Sequence, residues 1–141
     1  LAEASVITDE LKNLLNVEFG PEVYEVEKGM LKKFADAVGD PNPLWRKVAP
    51  PTFATALRLD ELTQKMWTVK CPLTRFLNAG NELEYYQPIK VDDVISVTGK
   101  LADIREREGK MGKMLFMTLE LTYKNQKGET VIKGRNTIIR Y

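Results

Sequence analysis

Histidine is missing from the whole 141-residue chain. It is the side chain whose ordinary pKa lies nearest neutrality. Its absence removes His-ligated metal centres, Ser-His-Asp triads and Cys-His dyads from anything one chain builds alone. A general base must then be Asp, Glu, Lys, Tyr or Cys, or come from another chain. Cysteine occurs once, as Cys71. A single cysteine forms no intramolecular disulfide, which fits a reducing compartment. With no imidazole to activate it, Cys71 reads as structural. No apolar run reaches the roughly 18–20 residues that span a bilayer. Leu1-Ala2-Glu3-Ala4 has no basic flank ahead of an apolar stretch, so no secretory signal is expected in these residues. A cytoplasmic protein is the plain expectation. Charge of one sign is also lacking: 21 Lys plus Arg against 20 Asp plus Glu leave +1. That balance gives no reason to expect nucleic acid or an anionic membrane as partner. The run Arg105-Glu106-Arg107-Glu108 alternates in sign and reads as a solvated strand end or hairpin face. Nothing points to a metal or a redox cofactor.

What is present fits one domain over residues 1–141, a length that buries roughly 68% of its unfolded surface. Ile7, Leu11, Leu14 and Leu15 have helical spacing, with Thr8 or Asp9 as the N-cap. Phe19-Gly20-Pro21 is a break, and Val23 to Val26 reads as a short strand. Lys28 to Val38 sets Met30, Leu31, Phe34, Ala35 and Val38 on one stripe, and Gly39 ends that helix. Asp40-Pro41-Asn42-Pro43 is a dense turn signal. After Pro50-Pro51-Thr52 comes Phe53 to Trp67, without internal Gly or Pro. It reads as a buried helix of about four turns, roughly 22 Å long, carrying Phe53, Ala56, Leu57, Leu59 and Met66.

The second half changes character. Leu83 to Tyr86, Asp93 to Ile104, Met114 to Tyr123 and Thr130 to Tyr141 are rich in strand formers. Leu115, Met117, Leu119, Leu121 and Tyr123 alternate with other residues, as a half-buried strand requires. Glu108 to Gly112 and Asn125 to Gly128 are the hairpin turns. Helices first and an antiparallel meander after make an α+β layout.

Four motifs in order resemble the N-terminal MaoC-type dehydratase family. Phe34-Ala35-Asp36-Ala37-Val38-Gly39-Asp40-Pro41-Asn42-Pro43 is similar to that family's helix followed by G-D-x-N-P. Ala49-Pro50-Pro51-Thr52-Phe53 resembles its A-P-P-T-F lead into the central helix. Asn78 to Tyr86 with Pro88 resembles its first long strand, and Asp93-Val94-Ile95 to Thr98-Gly99 the next. The likeness covers about Tyr24 to Tyr141. It implies a hot-dog fold, with a long central helix wrapped by a curved antiparallel sheet. It also implies side-by-side pairing, as a homodimer or as a heterodimer with a catalytic MaoC subunit. Implied substrates are acyl thioesters of coenzyme A or acyl carrier protein, and the implied reaction is hydration of a trans-2-enoyl thioester or its reverse.

In active members of that family the Asp and His of D-x-N-P-x-H activate the water, and N–H groups at the central helix start hold the thioester oxygen. A helix start suits that task through its free donors and dipole. Here Asp40 and Asn42 match, but Trp45 stands where histidine is expected. Indole donates only, and a general acid–base group contributes about 10² to 10⁴ in rate. The resemblance therefore implies a site with little activity of its own. Asp40 and Asn42 are the surviving catalytic candidates, although Asp-Pro-Asn-Pro after a helix-ending glycine is equally a turn-former. Trp45, Pro51, Thr52, Phe53, Asn78 and Gly80 are the substrate-binding candidates, with Thr52 also readable as a plain N-cap and Trp45 as a packing aromatic. Arg46, Lys47, Arg58 and Arg75 are cations that a coenzyme phosphate could meet, and equally ordinary surface residues. Three expectations follow: the non-catalytic half of a split hydratase, an acyl-thioester binding or scaffold protein, or a hot-dog thioesterase, since fold alone does not fix function.

Overall fold

The computed structural model describes residues 5–141. The reading of Leu1 to Ala4 as carrying no secretory signal lies outside the described residues. α1 (Asp9–Leu14) starts where the sequence places it, with Thr8 Oγ1 accepting the Leu11 N–H at 3.3 Å. α2 (Lys28–Val38) has the expected bounds and ends on Gly39, whose φ of 73° is left-handed. There the Gly39 and Asp40 N–H groups return to the Asp36 and Ala35 carbonyls, which satisfies the helix's last acceptors. α2 buries Leu31 and Ala35, but Val38 is 53% exposed. It shares their face two turns on, where the helix has run past the core.

The expected continuous helix from Phe53 to Trp67 is not there. A four-residue 3-10 turn (Phe53–Ala56) is followed by extended backbone and then by α3 (Asp60–Thr68). The reason lies in Leu57 and Leu59, which are both buried while Arg58 between them is exposed. Residues two apart on an α-helix point about 200° apart, so one leucine would face water. Extended backbone sends both inward. Ala56, expected inside, is exposed, and Ala54 is buried instead, as the tighter 3-10 winding dictates. Thr52 makes no side-chain cap; its carbonyl accepts from the Thr55 N–H at 3.1 Å and the Thr55 hydroxyl at 2.7 Å.

β1 (Phe19–Glu25) holds this break open. Glu22 Oε1 accepts the Glu61 N–H at 3.2 Å, so a carboxylate from the strand serves the first turn of α3. The Tyr24 hydroxyl bonds the Arg58 carbonyl and lies 3.1 Å from Glu22 Oε2. Burial, then that bond to Glu22, pushes the Tyr24 pKa up to about 12. Two glycines seat Leu59. A Cβ on Gly99 would lie 2.5 Å from Leu121 Cδ2 and 3.1 Å from Leu59 Cδ2, and one on Gly20 would lie 3.2 Å from Leu59 Cδ1.

β2 (Phe76–Tyr85), β3 (Val94–Gly109), β4 (Gly112–Lys124) and β5 (Thr130–Arg140) complete one five-stranded sheet in the order β1-β3-β4-β5-β2. All its pairings are antiparallel, but β2 pairs with β5 and not with the β3 that follows it, so the expected meander holds only for β3-β4-β5. Three strands are longer than the sequence suggests. β1 begins at Phe19, in what reads as a break, and β2 begins seven residues before Leu83. β3 continues through the charged run to Gly109, paired with β4 as far as Gly109↔Gly112. The outer parts of β2 and β3 are mostly solvated, so they carry no apolar alternation to betray them, and β1 is hidden by Gly20-Pro21 directly after the buried Phe19. The Asn125 to Gly128 turn forms as expected, with Asn125 Oδ1 accepting from Lys127 and Glu129.

The helical segments cover one face of the sheet. Ile95, Val97 and Leu101 of β3 and Leu115, Met117 and Tyr123 of β4 meet Leu31, Phe53, Leu57, Leu62 and Met66 there. β2 forms the sheet edge beyond β5 and is exposed along most of its length. No helix among the described residues is long and apolar enough to cross a membrane.

Candidate functional site

Asp40, Asn42 and Trp45 line one hollow of about 640 Å³, between α2 and a 3-10 turn (Pro43–Arg46). Lys28, Lys32, Asp36 and Arg46 share its wall. Asp40 Oδ1 accepts the Asn42 N–H at 3.1 Å, and Asn42 Oδ1 accepts the Leu44 N–H at 3.0 Å. Each thus shapes the local turn, in the way short polar side chains do. Trp45 is half-buried in the wall of the hollow. Its Nε1 is buried and finds no hydrogen-bond partner among the described residues.

Pro51, Thr52 and Phe53 lie elsewhere. Pro51 lines a separate apolar groove of about 320 Å³ with Pro50, Ala54, Tyr85, Pro88 and Ile89. Phe53 is 2% exposed and stacks edge-on against Phe34 at 5.6 Å, so it is a core residue. The donors expected at this helix start are partly taken, since the Phe53 and Thr55 N–H groups bond the Pro50 and Thr52 carbonyls. Between these two places, Val48 forms an isolated antiparallel bridge with Lys90.

A third cavity, of about 370 Å³, runs between the broken helical segment and the inward face of β2, β4 and β5. That lies within the roughly 300–1,000 Å³ of small-molecule sites. Leu57, Leu59, Leu62, Met66 and Trp67 form one wall, and Leu83, Leu121, Tyr123 and Ile138 form the other. Burial pushes the Tyr123 hydroxyl up to about 12. Trp67 meets Phe76 with ring centroids 4.0 Å apart. Asn78, Asn81, Asn136, Arg58 and Arg135 give this otherwise apolar groove a polar side. Asn78 was expected here. Gly80 sits on the same strand, and a Cβ added to it would meet nothing within 4 Å. The structure therefore distributes the expected residues over three places rather than one. Sequence reasoning missed Asn136, Asn81 and Trp67. A signal existed for Asn136: it falls in the inward phase of Ile132, Gly134, Ile138 and Arg140, where an apolar residue belongs.

With this geometry established, likeness to known proteins is informative. Residues 13–134 match the family model described as FAS1-like, dehydratase domain region. A UPF0336 protein of Thermobifida fusca is 29% identical over 133 residues, spanning 84% of this chain and 85% of that protein. Among solved structures, a C-terminally truncated HadBC (3R-hydroxyacyl-ACP dehydratase) complex from Mycobacterium tuberculosis superposes with a TM-score of 0.74 at 18% identity. That match covers 89% of this chain and 96% of the other. The ChsH1-ChsH2 complex from the same organism gives a TM-score of 0.69 at 15% identity, covering 88% of each chain. At such identities these structures speak for the fold alone, an α+β hot dog whose central helix is here interrupted. The family match spans most of the sequence, and the chain belongs to the FAS1-like dehydratase domain region family, with the MaoC-like hot-dog fold.

Proposed function

We propose that this chain is the non-catalytic, substrate-binding half of a hydratase/dehydratase acting on enoyl and 3-hydroxyacyl thioesters of coenzyme A or acyl carrier protein. The observation that carries the reading is Trp45, an indole in the position where the family's motif places histidine, with no histidine elsewhere in the chain. Hydration needs a base to take a proton from water as it attacks the β-carbon, and an acid to protonate the α-carbon. Trp45 serves neither purpose, and the Asp40 and Asn42 side chains are engaged in their own turn. What the fold retains is an apolar groove with a polar flank, suited to hold an acyl chain. The catalytic Asp and His then come from a MaoC-type partner. The free edge of β2 is where such a partner would pair, because an exposed edge offers a row of unpaired backbone groups. No cofactor enters this scheme, and one domain suffices for it.

The test is hydration of crotonyl-coenzyme A, followed as loss of enoyl absorbance. It is run with the pure chain, with a MaoC-type partner bearing the full D-x-N-P-x-H motif, and with both. Activity well above the partner's own, seen only in the mixture, is expected. Strong hydration by the pure chain would falsify the reading of Trp45. Free coenzyme A among the products would point to thioester hydrolysis instead.

A further inference from the structure

The groove's polar flank has an internal logic. Asn136 Nδ2 has three acceptors around it: Asn78 Oδ1 at 3.0 Å, the Gly80 carbonyl at 3.0 Å and Asn81 Oδ1 at 2.9 Å. A carbonyl accepts only, so that corner of Asn136 must be nitrogen. Asn78 Oδ1 also takes the Gly80 N–H at 3.2 Å, so that corner must be oxygen. Hydrogen bonding thereby fixes the amides of Asn136 and Asn78, and the two Asn136 N–H groups, shared among three acceptors, favour the oxygen of Asn81 on that side. What remains is one-sided. Asn78 Nδ2 and Asn81 Nδ2, with two N–H groups each, make no hydrogen bond to any described residue, and neither does the Asn136 carbonyl oxygen.

The internal bonds have a structural purpose. They clamp both backbone groups of Gly80 beside the register shift between Asn78 and Gly80 on β2. That clamp needs the Asn78 oxygen and the Asn136 nitrogen, but not the outward amino groups. Nor does the sheet need amides here. Asn136 is paired with Asn81 and Ile138 with Asn78, one step from Gly134 paired with Leu83, on the face that otherwise packs Leu121 and Tyr123. The clamp accounts for one side of these amides and leaves the amino groups of the exposed Asn78 and Asn81, which line the groove, open to a ligand.

We infer that Asn78, Asn81 and Asn136 form a carboxamide station that donates to an acceptor oxygen of a ligand lying in the apolar groove. The inference rests on the acyl-thioester reading and adds to it a demand on the ligand: an oxygen part-way along an otherwise apolar chain. Two sources share that chemistry, a hydroxyl or carbonyl on the acyl chain and an amide carbonyl of the pantetheine arm.

The experiment uses the full chain and three probes: octanoyl-coenzyme A, 3-hydroxyoctanoyl-coenzyme A and coenzyme A. Binding is read from tryptophan fluorescence, since Trp67 lines the groove, and checked by calorimetry. Asn78→Asp and Asn81→Asp keep the oxygen that Asn136 needs and replace the outward N–H groups with a charged acceptor oxygen. Asn81→Leu removes the donor without adding charge. Selective loss of about ten-fold for the 3-hydroxy probe, the scale of one hydrogen bond, in all three variants supports the station and places the oxygen on the acyl chain. Equal losses for all three probes, again in all variants, support it and assign the oxygen to the carrier arm. Unchanged binding overturns the station and leaves the groove standing. A loss confined to the Asp variants is charge repulsion and overturns it too. Failure of the unaltered chain to bind octanoyl-coenzyme A sinks the acyl reading itself, and the station with it.

Discussion

Arg140 shows how a single residue can be charged, buried and still satisfied. It is 3% exposed. Its Nε donates to the Leu73 carbonyl at 2.9 Å, and Nη1 lies 3.4 Å from the Met66 and Val69 carbonyls. The guanidinium also stacks 4.5 Å above the Phe76 ring. The Met66 and Val69 carbonyls lie at the C-terminal end of α3, where the helix dipole favours a cation. Arg140→Met is expected to cost on the order of 3 kcal/mol in urea unfolding, since hydrogen bonds to charged groups are worth roughly 1.5–3 kcal/mol. Arg140→Lys is expected to recover only part of that, lacking the planar fork. A loss below about 0.5 kcal/mol for Arg140→Met, the range of ordinary surface changes, would mean that packing alone holds the end of α3. None of this was legible in the sequence, where Arg140 is one cation among many near a terminus. Trp45 drew notice in the sequence only because a resemblance gave it a position to be compared with.

At the scale of elements, the outcome turned on which signals were local. α2 was readable to the residue because its stripe, its Gly39 cap and the following turn all lie within its own segment. The break at Leu57 to Leu59 was not, because its causes lie on other elements. Glu22 and Tyr24 of β1 hold the ends, and Gly20 and Gly99 make the seat for Leu59. An uninterrupted Ala- and Leu-rich run then satisfies every local helix rule and still loses to the packing of two leucines. Glu22→Ala is expected to lower stability by about 1 kcal/mol, the usual worth of a capping side chain, while Glu22→Gln keeps the accepting oxygen and most of the stability. Equal stability of all three forms would leave the seat of Leu59 as sole cause of the break.

For the whole molecule, pH offers a probe of how the sheet and helical segments close on each other. Tyr24 and Tyr123 both have pKa values raised from 10 to about 12, chiefly by burial. A raised tyrosine pKa means that the unfolded chain ionises first. The stability at stake is intact below about pH 10, declines above it as the unfolded tyrosines lose their protons, and is gone once pH passes about 12. Urea midpoints measured across that window are expected to fall, and to fall less steeply in Tyr123→Phe. An identical slope in the variant would place the titration elsewhere. The α+β class and the β3-β4-β5 succession were readable because apolar alternation marks a half-buried sheet, whereas the return of β2 to the far side of β5 was not, because a pairing across the sheet leaves no local trace. The site was less so: Asp40, Pro51 and Asn78 belong to one motif series but to three separate hollows, and a linear pattern carries no distance between them.

β2 has two duties at once. Its inward face walls the groove, and its outer edge is bare backbone. Pairing of a chain with the edge and seating of a ligand against the wall would both load the same strand. If either event changes the affinity of the other, thermodynamic reciprocity requires the two factors to be equal. A single strand would then make assembly and occupancy one linked equilibrium.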